Sequence, residues 1–183
     1  MVSFIRLVAA AAAFASSAYA AHTITFHNAC GWAVGQTVSN YPGGGGFNGP
    51  FQLSIPAGGK QSITVSDGWN GRICDKPPNS GCENDCWGGI AFGKASCSMT
   101  EFTMNGHNNL NYYNISNIQG YSVALMIQPV GGGCENLICQ GVNCPCKQAY
   151  RPGDISGTCG GTGALDQAVR ACGNRDYNVI FCP

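Results

Sequence analysis

Glu101 is the first residue of chemical interest. It is the only formally charged side chain between Lys94 and Glu135, and it lies in Met99-Thr100-Glu101-Phe102-Thr103-Met104, a run that reads as a strand. A lone carboxylate on an otherwise uncharged sheet surface is a candidate for a perturbed pKa and for a functional cleft. A solvent-facing glutamate is the plainer alternative. Other chemistries find less support. Gly88 to Lys94 fills the first seven positions of a phosphate-binding loop, but the eighth is Ala95 where magnesium needs Ser or Thr. There is no Gly-x-Ser-x-Gly elbow, and His22, His27 and His107 lack metal-ligand spacing. Serine- and zinc-hydrolase readings therefore have no basis, and neither a metal nor a cofactor is expected. Trp32, Trp69 and Trp87 offer faces for sugar rings, although core or lobe packing is the expectation for each. Asn114-Ile115-Ser116 is a glycosylation sequon.

The compartment follows from the N-terminus and the cysteines. Arg6 precedes an apolar run from Leu7 to Phe14, and Ala18-Tyr19-Ala20 is a small-x-small cleavage site. Residues 1–20 thus read as a secretory signal peptide, leaving 21–183 as one soluble, secreted domain, expected to be a monomer. All 12 cysteines fall in that part, an even number that reads as six disulfides in an oxidising compartment. Metal binding is the alternative, prompted by Cys144-Pro145-Cys146, but the histidines are remote and no Cys-x-x-Cys pair occurs. Nine basic side chains balance nine acidic ones in 183 residues, and only 10% of residues are charged. Nucleic acid needs a basic stripe and an anionic membrane surface needs a polybasic one, so neither is an expected partner. No later segment reaches the roughly 18 apolar residues of a spanning helix.

These residues need elements to hold them. Ile24 and Phe26 face one way and Thr23, Thr25 and His27 the other, the period of a half-buried strand. Similar runs occur at Trp32–Val38, Phe51–Ile55, Gln61–Val65, Met99–Met104, Leu110–Ile115, Tyr121–Ile127 and Tyr177–Phe181. Tyr121, Val123, Leu125 and Ile127 share a face, with Ala124 and Met126 opposite, which predicts a central strand. Many short strands between turn signals imply a sandwich or barrel. Tyr41–Pro50 is too Gly-rich for a regular element, and residues 75–97 and 131–163 read as irregular Cys-rich lobes. The one helix candidate is Ala164–Cys172, with Leu165, Ala168, Val169 and Cys172 on one face.

A family resemblance now has its residues. Cys74…Cys82-Glu83-Asn84-Asp85-Cys86-Trp87-Gly88-Gly89…Cys97, Met99-Thr100-Glu101-Phe102, Asn111-Tyr112-Tyr113-Asn114-Ile115-Ser116, Gly120-Tyr121 and the terminal Tyr177–Pro183 occur in that order. Together they resemble a thaumatin-like protein of the small, disulfide-rich type, in the osmotin and pathogenesis-related class. The likeness runs from Ile24 to Pro183. It implies an all-β fold: a flattened antiparallel β-sandwich beside a reduced, disulfide-stapled loop lobe (about 131–172), with at most one short helix. It also implies the pairs Cys30–Cys182, Cys74–Cys82, Cys86–Cys97, Cys134–Cys172 and Cys139–Cys144. Cys146–Cys159 is then left as a further bridge.

The resemblance also implies antifungal or defence roles, binding of cell-wall β-1,3-glucan or another polysaccharide and, in some members, weak endo-β-1,3-glucanase activity. The family's cleft of one Arg, one Glu and three Asp falls here on Arg72, Glu101, Asn114, Gln119 and Asp154, so two aspartates have become amides. Tyr112 or Tyr113 offers a stacking face. Glycoside hydrolysis needs a protonated and an ionised carboxyl group. If the cleft hydrolyses, Glu101 would be the acid and Asp154 its partner. A glycan on Asn114 would emerge at the cleft. Three functions are thus expected in order: a non-catalytic glucan binder, a glucanase, and an inhibitor of a secreted hydrolase.

Overall fold

The computed structural model describes residues 21–41, 46–75, 82, 86, 96–173 and 175–183. The expected signal peptide (1–20), most of the 75–97 lobe, Trp87 and the Gly88–Lys94 run lie outside them. The described residues form eleven strands: β1 (Ala21–Asn28), β2 (Val34–Asn40), β3 (Gln52–Ile55), β4 (Lys60–Ser66), β5 (Asn70–Cys74), β6 (Met99–Thr103), β7 (Asn111–Ser116), β8 (Leu125–Pro129), β9 (Leu137–Cys139), β10 (Arg170–Cys172) and β11 (Tyr177–Phe181). They form a five-stranded sheet ordered β4-β1-β11-β8-β9 and a six-stranded sheet ordered β10-β7-β6-β5-β2-β3. All pairings are antiparallel except β1 with β11, which places the first and last strands side by side and parallel.

The alternation read in β1 is realised: His22, Ile24, Phe26 and Asn28 are buried, and Thr23, Thr25 and His27 lie on the wetter face. The core lies between the sheets. Ile24, Phe26, Ile127, Val179 and Phe181 come from one sheet, and Val38, Ile73, Phe102, Tyr113 and Ile115 from the other. An aromatic group bridges them, with Tyr177 5.2 Å from both Phe102 and Tyr113 between ring centroids. Trp69 is fully buried against Phe102, as expected, whereas Trp32 is 62% exposed and departs from the packing role expected of it. Asn28 holds the turn after β1: its amide donates to the carbonyls of Trp32 and Ile55, and its oxygen accepts from the N–H of Cys30.

The five pairs that the resemblance implies all form, the remaining Cys146–Cys159 bridge forms with them, and no described cysteine is free. Cys74, Cys82, Cys86, Cys97 and Met99 make a second, smaller buried cluster.

The helix expected over Ala164–Cys172 is absent. Residues 165–168 turn, and Arg170–Cys172 become β10 along the edge of β7. A helix this short persists only if it buries an apolar face. Leu165 is instead 67% exposed, while Cys172 is tied to Cys134 beside the open edge of β7. The central strand also starts later than expected, at Leu125 rather than Tyr121. Before that point the backbone N–H groups of Ser122 and Val123 donate to the Ser98 hydroxyl instead of to a neighbouring strand.

Two predictions follow from this architecture. Cys30 and Cys182 are 152 residues apart, whereas Cys139 and Cys144 are five apart. By loop-closure entropy, replacing the first pair with alanine lowers stability by about 4–5 kcal/mol and replacing the second by about 2 kcal/mol, measured by urea unfolding. The second concerns alkaline pH. Burial pushes the phenols of Tyr113 and Tyr177 from 10.0 to about 12; for Tyr113 the Arg170 charge opposes the shift, and for Tyr177 the nearby Asn111 side chain does. Because the folded values lie above the unfolded one, the stability these phenols contribute is complete below pH 10 and lost as pH rises toward 12. Ultraviolet titration should show Tyr113 and Tyr177 ionising only with unfolding; their titration near pH 10 in a folded protein would refute this.

Candidate functional site

Three adjacent strands build the site by register alone. Arg72 on β5 stands opposite Glu101 on β6, and Glu101 opposite Asn114 on β7. Side chains directly across antiparallel strands share a face, so all three project from the outer side of the six-stranded sheet at the strand spacing of about 4.8 Å. A parallel row follows from the same register: Asn70, Thr103 and Tyr112. Between these rows the chain turns its core side inward through Gly71, Phe102 and Tyr113. Gly71 is required there, because a Cβ would lie 2.6 Å from the Ser39 carbonyl oxygen and collide with the Trp69 ring.

The row is tied together. The Asn114 amide donates to Glu101 Oε2 at 2.9 Å, and the Thr103 hydroxyl donates to Asn70 at 3.3 Å. The guanidinium carbon of Arg72 sits 5.0 Å from the centroid of the Tyr41 ring, within cation–π range. Tyr41, Asn70, Glu101, Thr103, Tyr112 and Asn114 line a shallow cleft of about 240 Å³. Carboxylate, amide and hydroxyl groups stand along its floor, two tyrosines line it, and the buried Arg72 lies beside Glu101 in the same row. Such a surface can hydrogen-bond a polyhydroxylated chain while stacking its apolar faces.

The structure thus brings Arg72, Glu101, Asn114 and Tyr112 onto one face, whereas Tyr113, Gln119 and Asp154 do not line the cleft. Tyr113 does not belong to the cleft. It follows Tyr112 in a strand, so it points to the opposite face, where it is fully buried and its hydroxyl donates to the Glu135 carbonyl. Gln119 lies in the turn after β7 and does not line this cleft. Asp154 is 6% exposed, and its carboxylate accepts from the backbone N–H groups of Thr158, Cys159 and Gly160 and from the Ser156 hydroxyl. Burial alone would raise its pKa, but those donors outweigh burial and hold the carboxyl below its ordinary value. Asp154 therefore organises a loop rather than facing a ligand as a free acid or base.

Sequence reasoning missed Tyr41, Asn70 and Thr103. Asn70 and Thr103 were within reach, since each is two residues from Arg72 or Glu101 and period 2 places it on the same face. Among the described residues, no group of three or more His, Cys, Asp or Glu is placed to hold a metal ion, and no helix is long and apolar enough to cross a membrane.

Comparison with known proteins adds ancestry. A sequence model of the Thaumatin family matches residues 28–178. The chain is 32% identical over 185 residues to "Thaumatin-like protein PWIR2" of Triticum aestivum, covering 94% of each chain. It is 33% identical over 188 residues to "Pathogenesis-related protein 1A/1B" of Hordeum vulgare, again covering 94% of each. Two solved structures share the fold: the thaumatin-like xylanase inhibitor TLXI, with a TM-score of 0.55, 16% identity and coverage of 87% of this chain and 99% of that one, and the protein elicitor MoHrip2 from Magnaporthe oryzae, with a TM-score of 0.54, 17% identity and coverage of 88% and 99%.

The geometry also bears on the sequon. Asn114 is 9% exposed in an interior strand, with its amide nitrogen bonded to Glu101. A glycan there would keep one N–H on that nitrogen and would fill the cleft that Asn114 lines, so an open cleft requires the sequon to be unused. Intact mass before and after peptide N-glycosidase treatment should therefore be unchanged; a shift of one glycan at Asn114 would refute this.

Proposed function

Because the chain belongs to the thaumatin family, we propose that it is a secreted defence-type protein that binds β-1,3-glucan or a related cell-wall polysaccharide. The observation that carries this reading is the cross-strand row Arg72–Glu101–Asn114, in which Glu101 and Asn114 line a cleft together with Tyr41 and Tyr112. Asn114 engages Glu101 Oε2 and turns the carboxylate into a fixed acceptor, leaving Oε1 for a sugar hydroxyl. Tyr112 and Tyr41 supply ring faces for the apolar sides of the sugar. The N-terminal leader pattern and the six bridges support export into an oxidising compartment. Relatives named pathogenesis-related support a defence role.

Binding is favoured over hydrolysis. A glycosidase sets two carboxyl groups about 5–10 Å apart across the scissile bond. Among the described residues lining the cleft Glu101 is the sole carboxylate, its neighbour on β7 is an amide, and Asp154 is engaged by its own loop. An inhibitor of a secreted hydrolase is the second reading. It is favoured by Ile155 and Leu165, which stand 86% and 67% exposed.

The test is co-sedimentation with insoluble β-1,3-glucan, with reducing-sugar release followed in the same samples. The wild-type chain should sediment with the polymer, and Tyr112→Ala should weaken binding about tenfold. Glu101→Ala should abolish most of it. No sugar should be released. A chain that stays in the supernatant overturns the glucan reading. Inhibition across a panel of xylanases, amylases and proteases would then establish the second. Sugar release that disappears in Glu101→Gln would show a glucanase instead.

A further inference from the structure

Beyond the end of β7 the sheet face continues through a segment outside the strands. The backbone of Tyr150 runs beside Ser116 in a parallel bridge, with its N–H donated to the Ile115 carbonyl and its own carbonyl accepting from the N–H of Asn117. Ser116 lies two residues past Asn114, on the same face. Tyr150 therefore lies beside the cleft face, and its hydroxyl donates to Asp166 Oδ1 at 2.7 Å. Asp166 is exposed, and its carboxylate is not tied to loop N–H groups as that of Asp154 is.

The loop is shaped to deliver that carboxylate. The backbone of Asp166 is left-handed, at φ 51°, and is pinned by its N–H to the Gly157 carbonyl and by its carbonyl to the N–H of Val169. Gly157 has φ +67°, and a Cβ there would come within 2.7 Å of Asp166 Oδ1 and 3.3 Å of the Tyr150 ring. Only glycine suits both the angle and the space. Cys146–Cys159 fixes the start of the loop against the Tyr150 segment. Burial, the Asp166 hydrogen bond and then the charges of Asp166, Glu101 and Asp154 hold the Tyr150 phenol above the ordinary tyrosine range. The phenol thus stays protonated and keeps donating to Asp166.

We propose that Tyr150 and Asp166 form a second hydrogen-bonding subsite that extends the polysaccharide cleft past Asn114. The inference rests on the reading of that cleft as a glucan site, and it adds the residues that decide how long a chain the protein grips. The phenol oxygen and Asp166 Oδ2 both accept, so the subsite takes the hydroxyl donors of a neutral sugar and disfavours acidic ones. It restores at one end of the cleft an acidic character that the amide at Asn114 lacks.

Isothermal titration with β-1,3-linked glucose oligosaccharides of increasing length tests this. Asp166→Asn and Tyr150→Phe should each bind long oligosaccharides about tenfold more weakly and bind the shortest ligands like the wild type. Gly157→Ala, which displaces Asp166, should behave in the same way. Equal loss at every length would mark a general disturbance of the cleft and overturn the subsite, as would no loss at any length. Tyr150→Phe keeps the buried ring, so it decides the matter if Asp166→Asn unfolds. A wild-type chain that binds no oligosaccharide at all overturns the glucan reading and the subsite with it; wild-type binding that the variants leave untouched overturns the subsite alone.

Discussion

The register of β5, β6 and β7 is the constraint on which the outer face depends. Arg72, Glu101 and Asn114 align because Phe102 and Tyr113, on the reverse face, are locked into the core against Tyr177. A slip of one residue in β6 would send Glu101 into that core and Phe102 into water. The apolar face thus enforces the polar one. The cleft needs no dedicated scaffold, because the cost of moving its charged residues is the cost of unpacking buried rings. Asn114 adds a finer constraint, since its amide limits the rotamers open to the Glu101 carboxylate.

Disulfides do the complementary work where strands are sparse. The 131–172 region contains only the three-residue β9 and β10, yet the Cys134–Cys172, Cys139–Cys144 and Cys146–Cys159 bridges all close within it. Short loops stapled to one another keep positive-φ residues such as Cys159 and Asp166 in place without a large core. The low charge of the chain fits this design, because few solvated ion pairs compete with the amide and hydroxyl contacts of the surface. The bidentate pair between Arg170 and Glu135 is a clear exception, and it ties β10 to the segment before β9.

What the sequence made legible follows from signal strength. β1 and β11 alternate cleanly over buried Ile24, Phe26, Val179 and Phe181, so their existence and inward faces could be read directly. Glu101 could be singled out because nothing near it in sequence is charged. β5 escaped notice because Asn-Gly-Arg-Ile-Cys lacks strand composition; its glycine is required by a tryptophan ring and a carbonyl that sequence cannot place. The error at Ala164–Cys172 has a similar root. Helical spacing in nine residues says little unless a surface waits to receive it, and here the open edge of β7 supplied a better partner. Reading Tyr112 and Tyr113 as interchangeable ignored the strand's own alternation. The lone Asp166 gave no signal, because its partner Tyr150 is joined to it only through the folding of the loop.

The parallel pairing of β1 with β11 sets a timetable as well as a shape. Ile24 meets Tyr177, and Cys30 cannot close its bridge until Cys182 is present, 152 residues later. β4 can pair with one edge of β1 early, but the other edge stays open until the chain is complete. Contacts of such long sequence separation form late and slowly. An exposed edge strand that waits invites pairing with another chain. A polypeptide threaded through a membrane from its N-terminus would therefore finish its five-stranded sheet only after β11, Tyr177–Phe181, had crossed.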